Sequence, residues 1–332
     1  MLDVTGRRWG GFIIAYTAFC LFFAWYAAVE LGRYPRAQTA AIYAAMLPLL
    51  GLWLAPGFQA SRVWLIERMN GTRAAIVSLA IFLVPYIIYV AGTGDFRARA
   101  LVKLGAFAAL PFMLFAVSGV RRPHDMNWKD ALILLWLVLP MLSGQFSGIW
   151  NVPVEQDSMA RMFVTATGAW AFLILRRLEG SGYEFHFTGG MACDVVLNLA
   201  GFAAIALPLG FALRFIAWNP RWRGAAGFVA EFAGIFVFIA VTEEFFFRGA
   251  LQNLLECSVR SRYVGQGFAS VLFGLSHIQH APVPNWRYVA MASVAGWFYG
   301  SAYRERRSIM ASAATHALVD TLWRTFFMLP AK

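Results

Sequence analysis

Long apolar stretches, separated by short polar loops, run along the whole chain. Nine of them approach or reach the length of about 20 residues that an α-helix needs to cross a bilayer. They are Gly11–Val29, Thr39–Gly57, Ala74–Gly92, Leu104–Gly119, Met191–Ala217, Ala225–Val241, Val264–Ile278, Tyr288–Ala302 and Ile309–Leu329. Two shorter stretches, Ala131–Leu142 and Met162–Leu175, are further helix candidates. The pattern predicts an all-α polytopic integral membrane protein with about 9–11 transmembrane helices.

Composition and charge agree with this prediction. Of the 332 residues, 60% are hydrophobic and 14% are charged, a balance that soluble domains of this length rarely show. The formal net charge is +11, but the arginines lie between the apolar stretches, where membrane proteins carry positive loops. We find no basic tail, so we expect the lipid bilayer and no nucleic acid as a partner. The high tryptophan and arginine content, without an organellar targeting segment, favours a bacterial inner membrane.

Polar residues are distributed unevenly along the chain. Up to about Arg177, charges occupy short loops between apolar helices, as expected for a scaffold. The segment "RRLEGSGYEFHFTGG", Arg176 to Gly190, is polar and glycine-rich, and it predicts a connecting loop. We therefore predict transmembrane scaffold helices over residues 1–189 and a functional helical core over residues 190–329.

Ionisable residues occur inside the apolar stretches of this second part. A charge at the bilayer centre costs about 2.5–3.5 kcal/mol, so such residues normally face a protein interior or a wet cavity and indicate function. The residues in question are Glu243, Glu244, Arg248, His277, His316 and Asp320.

The stretch "VTEEFFFRGALQNLL", Val241 to Leu255, contains the first three of these residues. Glu244 and Arg248 are four residues apart, so on a helix they can form an ion pair. Glu243 points about 100° away from Glu244, which predicts one glutamate held ionised and one facing open space. A neighbouring carboxylate and a dry environment would raise the pKa of Glu243 towards that of a base near neutral pH. Alternatively, the charges mark a helix end at the water interface.

Two further pairs are spaced by one helical turn. Phe273 and His277 share one face of a predicted helix, and so do His316 and Asp320 on the last helix. A carboxylate at this spacing can orient or polarise an imidazole. Each pair alone is compatible with a purely structural role, so the functional interpretation depends on the whole set.

The ordered set resembles the CAAX prenyl protease and bacteriocin-processing family, abbreviated CPBP and formerly called Abi. The matching motifs are Glu243-Glu244-x-x-x-Arg248, Phe273-x-x-x-His277 and His316-x-x-x-Asp320. The resemblance covers about Gly190 to Leu329. It implies a glutamic-type intramembrane endopeptidase without a cofactor or metal, with a helical core around a hydrophilic cavity. Its substrate would be a membrane-associated protein or peptide.

The resemblance also implies roles for individual residues. Glu243 with His277 would hold and deprotonate the attacking water. Glu244 with Arg248 would support Glu243, and Phe273 would pack the site. His316 and the residue at Asp320 correspond to the pair with which the family stabilises the tetrahedral oxyanion.

Other chemistries are compatible with some of these residues. Two glutamates and two histidines could belong to a metal-dependent membrane peptidase, although no HExxH motif occurs and a glutamate beside an arginine is a poor ligand. The string at Gly92 to Asp95 matches the GxGD motif of presenilin-like proteases. Those proteases need a second intramembrane aspartate upstream, and the sequence has none there, so we assign Asp95 to a loop. A non-proteolytic transporter or proton relay, or an immunity-type binding protein, remains open.

Asp320 departs from the commonest family pattern, because many members have Asn at this position. An ionised carboxylate only accepts hydrogen bonds, so Asp320 cannot donate to an oxyanion unless it is protonated. We hypothesise that Asp320 instead orients His316 as the donor. Asp320→Asn should then keep the protein folded and change the pH profile of cleavage. An unchanged profile would exclude this role.

Overall fold

The structure is a computed structural model that describes residues 3–30, 36–118, 125–150 and 158–328. Over these residues the chain forms twelve helices and one pair of two-residue strands, so the all-α prediction is confirmed. The chain divides into two compact units. One contains residues 1–123 and 127–179, and the other contains residues 124–126 and 180–332.

The first unit is built from seven helices around an aromatic core. The helices are α1 Asp3–Glu30, α2 Arg36–Leu54, α3 Gln59–Arg68, α4 Gly71–Thr93, α5 Ala98–Ser118, α6 Trp128–Ser143 and α7 Ser158–Leu175. The buried ring of Phe82 on α4 lies edge-on to Phe112, Phe163 and Trp170 at 5.0, 5.8 and 5.5 Å. These contacts pack α4, α5 and α7 together.

A buried ion pair joins α6 to the end of α7. Asp130 and Asn127 form a capping box at the start of α6, in which the Asp130 carboxylate accepts a hydrogen bond from the backbone N–H of Asn127. The same carboxylate accepts from Arg176 Nε at 2.5 Å and Nη2 at 2.9 Å, and both side chains are fully buried. The sequence placed these charges in loops, whereas Asp130 lies inside α6 because the cap and the ion pair satisfy its oxygens.

The second unit contains five helices. They are α8 Gly189–Ala212, α9 Gly224–Val259, α10 Arg262–Leu275, α11 Trp286–Arg306 and α12 Ile309–Phe326. Strand β1, Ala217–Trp218, follows α8 and pairs antiparallel with β2, Phe327–Met328, which follows α12. The predicted span that began at Met191 therefore ends five residues earlier than expected, because the chain turns to form β1.

Helix α9 continues through the charged stretch Val241 to Leu255, for which the sequence left a helix end at the water interface as an alternative. Two π-helical segments, Phe236–Ala240 and Phe245–Gln252, flank the four α-helical residues Val241–Glu244. The alternative of a helix end at the water interface is therefore wrong, because Glu244 and Arg248 are buried and paired rather than solvated. Local π-helix is rare and occurs frequently at functional sites.

Small residues allow α10 and α11 to approach closely. A Cβ atom on Gly274 would lie 1.9 Å from Ser293 Oγ and 2.6 Å from the Val289 carbonyl oxygen. A Cβ atom on Gly296 would lie 3.1 Å from the Cα of Ser270. Close backbone contact of this kind is typical of helix pairs in membranes, and here it places the end of α10 against the first turns of α11.

Six described helices are long and apolar enough to cross a membrane: α2 with its following turn, α4, α5, α7, α8 and α9. The chain is therefore a multi-pass membrane protein. Helices α10, α11 and α12, which the sequence also predicted as spans, are not among the six. The first has 14 residues, and polar residues lower the hydropathy of the other two.

The buried ion pair predicts a large effect of Arg176→Met. This change leaves the Asp130 carboxylate buried without its cation, which typically costs about 3–5 kcal/mol. As a control, Arg68→Met removes a loose exposed pair with Glu67 at 3.7 Å and should cost under about 1 kcal/mol. Unfolding of the full chain in detergent measures both. Equal losses would contradict the stabilising role of the buried pair.

Candidate active site

The carboxylate of Glu244 lies at the centre of the site and is fully buried. Its Oε2 accepts hydrogen bonds from Arg248 Nε at 3.0 Å and from Ser312 Oγ at 2.5 Å. Its Oε1 lies 2.9 Å from Nδ1 of His316. The ion pair that the spacing predicts is therefore present, and two contacts that the sequence did not predict join α9 to α12.

The guanidinium of Arg248 is fully buried beside this carboxylate. In the described part of the chain, Nη1 and Nη2 of Arg248 have no hydrogen-bond partner. The group lies 5.3 Å from the centre of the Phe273 ring, within the range of a cation–π contact. Glu244 is thus the charge partner of a cation that water does not reach, so neutralising Glu244 would leave a buried charge unpaired.

His316 has a carboxylate near each ring nitrogen and two aromatic rings against it. Nδ1 faces Glu244, and Nε2 lies 3.6 Å from the Asp320 carboxylate one turn further along α12. The ring of Tyr299 stacks on the imidazole at 4.6 Å, and Phe273 lies edge-on at 5.8 Å. The side chain of Asp320 is 31% exposed and that of His316 only 4%, so Asp320 is on the accessible side of the pair.

The sequence predicted that His277 lies near the end of a helix. It lies just beyond α10, because the helix ends at Leu275. Its Nδ1 still reaches back by four residues to the carbonyl oxygen of Phe273, at 2.8 Å. A carbonyl oxygen only accepts, so Nδ1 carries the hydrogen. In the neutral ring Nε2 is therefore the acceptor, which is the form that a base requires. The side chain is half-buried.

Tyr288, on the first turn of α11, stacks against the histidines at the end of α10. Its ring centre lies 5.1 Å from His277 and 4.4 Å from His280, with planes 19° and 12° from parallel. On α12, Trp323 stacks on Tyr288 at 6.0 Å. Partial burial and the neighbouring His277 lower the pKa of His280, and Glu243 opposes them. At neutral pH, His280 is therefore an uncharged member of the stack.

Glu243 and Glu244 face different surroundings, as the helix geometry predicts. Glu243 is half-buried, whereas Glu244 is fully buried. Glu243 interacts electrostatically with His280 and with the phenols of Tyr288 and Tyr299. It thus lies on the side of the site that carries the stacked rings.

The site residues fall into two groups by exposure. Glu243, His277 and Asp320 are half-buried. Glu244, Arg248, Phe273 and His316 are buried. Together these are the seven residues that the sequence analysis selected, and all seven lie within the second unit.

Three residues of the site, Ser312, Tyr288 and Tyr299, were not predicted from the sequence, although two spacings indicate them. Ser312 precedes His316 by four residues, so it shares a helix face with His316 and Asp320. Tyr288 and Tyr299 are eleven residues apart, about three turns, and so lie on one face of α11. Each tyrosine stacks on one of the two histidines.

The donor set does not resemble a metal centre. Among the residues that the structure describes, no group of three or more His, Cys, Asp or Glu side chains is arranged to hold a metal ion. Glu244 is engaged by Arg248, which competes with a metal for the carboxylate charge.

Residues 225–322 match the family model of the Rce1-like type II CAAX prenyl endopeptidases. The resemblance to the CAAX protease family is confirmed. The matched region contains all seven site residues and ends before the last turn of α12. No curated protein and no solved structure matches the chain. The family match indicates a protease, and therefore a hydrolase that acts on a membrane-associated peptide.

The stack on His277 predicts different effects of two substitutions at Tyr288. Tyr288→Phe keeps the ring, so His277 should keep its orientation and cleavage should remain within about threefold of the wild type. Tyr288→Leu removes a stacking contact of about 0.5–1.5 kcal/mol and should lower kcat by about tenfold. Peptide cleavage by the purified chain measures both. Equal losses in the two variants would show that the ring does not position His277.

Proposed function

We propose that the protein is a glutamic-type intramembrane endopeptidase that hydrolyses a peptide bond of a membrane-associated substrate with water activated by Glu243. The observation that carries this proposal is the contrast between two adjacent glutamates. Glu244 is fully buried and held by three partners, whereas Glu243 is half-buried and lies near the accessible rings. The family match supports the reaction class.

In the proposed mechanism, Glu243 and Nε2 of His277 bind the attacking water. Glu243 takes one proton from this water as the oxygen bonds to the carbonyl carbon of the substrate. The tetrahedral intermediate then collapses, the C–N bond breaks, and Glu243 returns the proton to the leaving amine. A positioned base of this kind contributes typically 10²–10⁴-fold to the rate.

The negative oxygen of the intermediate needs a donor, and His316 supplies it in this proposal. Nδ1 donates to the Glu244 carboxylate, so Nε2 donates to the substrate in the doubly protonated imidazolium form, which the carboxylates of Glu244 and Asp320 favour. Asp320, 3.6 Å from Nε2, orients the imidazole from the accessible side. Oxyanion donors contribute about 10²–10³-fold to kcat. Glu244 and Arg248 act as positioning residues, because their contacts fix His316 and neither needs to touch the substrate.

We assign the catalytic core to residues 190–329 and a scaffold role to residues 1–189. The support is that all seven site residues lie in the second unit and within or beside its helices. We also place the protein in a bacterial inner membrane. The multi-pass architecture and the composition support this location.

The decisive experiment incubates purified full-length protein in detergent with a peptide pool and detects products by mass spectrometry. Glu243→Gln should reduce cleavage by at least about 100-fold, because it removes the base and keeps the shape of the side chain. Glu305→Gln, an exposed glutamate at the end of α11, is the matched control and should cleave normally.

The same assay separates the competing functions. If Glu243→Gln cleaves as fast as the wild type, or if neither cleaves, the enzyme proposal fails and a transporter, proton relay or binding protein is favoured. Strong chelation should leave the activity unchanged. Loss of activity with EDTA, and its recovery with added zinc or manganese, would instead show a metal-dependent peptidase.

A further inference from the structure

A cavity of about 520 Å³ lies in the first unit, in the corner between α3 and α4. The side chains of Arg68 and Arg73 line it where the two helices meet. The rest of its wall is largely apolar and includes Val77 and Ile81 of α4 and Trp170 of α7. We call this space the α3–α4 cavity. Its described lining residues all lie in the first unit, outside the candidate active site.

The cavity begins at a membrane surface and extends along one leaflet. Helix α4 is long and apolar enough to cross a membrane, and it begins at Gly71, so Arg73 lies in its first turn. Arg73, Val77 and Ile81 are four residues apart and share one face of α4. The helix rises about 12 Å from the first of them to the last. One leaflet contributes about 15 Å to the hydrocarbon core of a bilayer, so the cavity has the depth of a single leaflet.

Helix α3 lies at that same membrane surface. It connects α2, which ends with its following turn at Gly57, to α4, and both neighbours are candidate spans. The guanidinium of Arg68, at the end of α3, lies 4.5 Å from the centre of the Trp64 ring. Nη1 of Arg68 also donates to the Trp64 carbonyl oxygen at 3.3 Å. Tryptophan is enriched in the headgroup layer of membranes, so these contacts hold the arginine at headgroup level.

The positive charge at this end of the cavity is weakly compensated. Nη1 of Arg68 lies 3.7 Å from the Glu67 carboxylate, beyond hydrogen-bond distance, and both side chains are more than half exposed. Arg73 is exposed and, in the described part of the chain, forms no ion pair. Among the described residues that line the cavity, none is acidic. Two cations beside an apolar wall favour an anion that carries an apolar part.

The corner that forms the cavity is fixed by contacts between helices. Nη2 of Arg177 donates to the side-chain oxygen of Asn70 at 2.5 Å and to the Ile66 carbonyl oxygen at 3.3 Å. Trp170 is buried, and its Nε1 donates to the Leu52 carbonyl oxygen at 2.9 Å. These contacts hold the turn between α3 and α4 and the wall formed by α7. A ligand therefore meets a preformed site and loses little free energy in ordering it.

We propose that the α3–α4 cavity binds an anionic phospholipid of the surrounding bilayer. Its phosphate lies between Arg68 and Arg73, and one acyl chain lies along Val77 and Ile81. Arginine forms charge-assisted, bidentate hydrogen bonds with phosphate, and basic pockets between membrane helices bind anionic headgroups. This proposal depends on the membrane architecture and not on the proposed endopeptidase function.

A soluble anion, such as inorganic phosphate, is the main competing occupant. It would use the two arginines and gain nothing from the apolar wall. The wall follows a candidate span for two turns beyond Arg73, where a lipid chain replaces no water-filled space. The combination of a cationic end and a wall of leaflet depth favours the lipid.

The test measures lipid binding to the full-length protein in a neutral detergent by native mass spectrometry. The probes are phosphatidylglycerol and phosphatidylcholine with identical short acyl chains. Each arginine near a membrane surface strengthens the binding of an anion by about fivefold. Phosphatidylglycerol should therefore bind at least about tenfold more tightly than phosphatidylcholine. Glycerol phosphate, which is the headgroup without chains, should not displace it at equal concentration.

Variants separate the headgroup contacts from the chain contacts. Arg68→Gln/Arg73→Gln should reduce the preference for phosphatidylglycerol to under about twofold. Arg68→Lys/Arg73→Lys keeps both charges and most of the preference, so it distinguishes loss of charge from misfolding. Val77→Trp fills the apolar part and should weaken the binding of both lipids by a similar factor. Arg99→Gln changes an exposed arginine in the first turn of α5, outside the cavity, and should bind like the wild type.

The other outcomes would overturn the proposal. These are equal binding of the two lipids by the wild type, a preference that persists in the double glutamine variant, and a preference lost in the double lysine variant. Unchanged lipid binding by Val77→Trp would place the chain elsewhere. Displacement by an equal concentration of glycerol phosphate would assign the arginines to a soluble anion. None of these measurements uses peptide cleavage, so they decide the proposal even if the endopeptidase proposal fails.

Discussion

The arrangement of the second unit depends on one buried carboxylate, that of Glu244. A carboxylate without water is tolerated only when its oxygens are hydrogen-bonded and its charge is paired. Glu244 meets both conditions through Arg248 on its own helix and through Ser312 and His316 on α12. These contacts fix the rotation and the axial position of α12 relative to α9. The orientation of the imidazole follows from them.

The same contacts explain how neighbouring glutamates can have different tasks. A rotation of about 100° per residue puts the side chain of Glu243 on another face of α9. There it is half-buried and interacts with His280, Tyr288 and Tyr299. The structural charge and the charge proposed for chemistry thus occupy adjacent positions in the sequence. The π-helical segments on either side of Val241–Glu244 mark this stretch as locally irregular.

Short-range features of the site follow from the sequence, because helix periodicity determines them. The pairing of Glu244 with Arg248 and the proximity of His316 to Asp320 are both consequences of a four-residue spacing. The all-α membrane architecture follows equally from the apolar stretches. The contact of Glu244 with His316 joins residues 72 positions apart, and no local pattern determines it.

Two limits drawn from hydropathy differ from the structure for the same physical reason. The apolar stretch ends at Val241, since a charge looks costly in such a stretch unless its partner is known. The pairing of Glu244 removes that cost, and the helix continues to Val259. The second stretch was drawn to Ile278, with His277 near its end, because the neighbours of His277 are apolar. The chain leaves the helix after Leu275, and the Nδ1 hydrogen bond to Phe273 keeps the expected four-residue contact.

The most direct test of this account compares the thermal unfolding of Glu244→Gln and Glu243→Gln in the purified full-length protein. The account predicts that Glu244→Gln destabilises the protein strongly, by about 3–5 kcal/mol, because Arg248 loses its buried counter-charge. Glu243→Gln should stay within about 1 kcal/mol of the wild type, because its side chain is half-buried and keeps contact with solvent. Equal destabilisation of the two variants, or a greater loss in Glu243→Gln, would contradict the account.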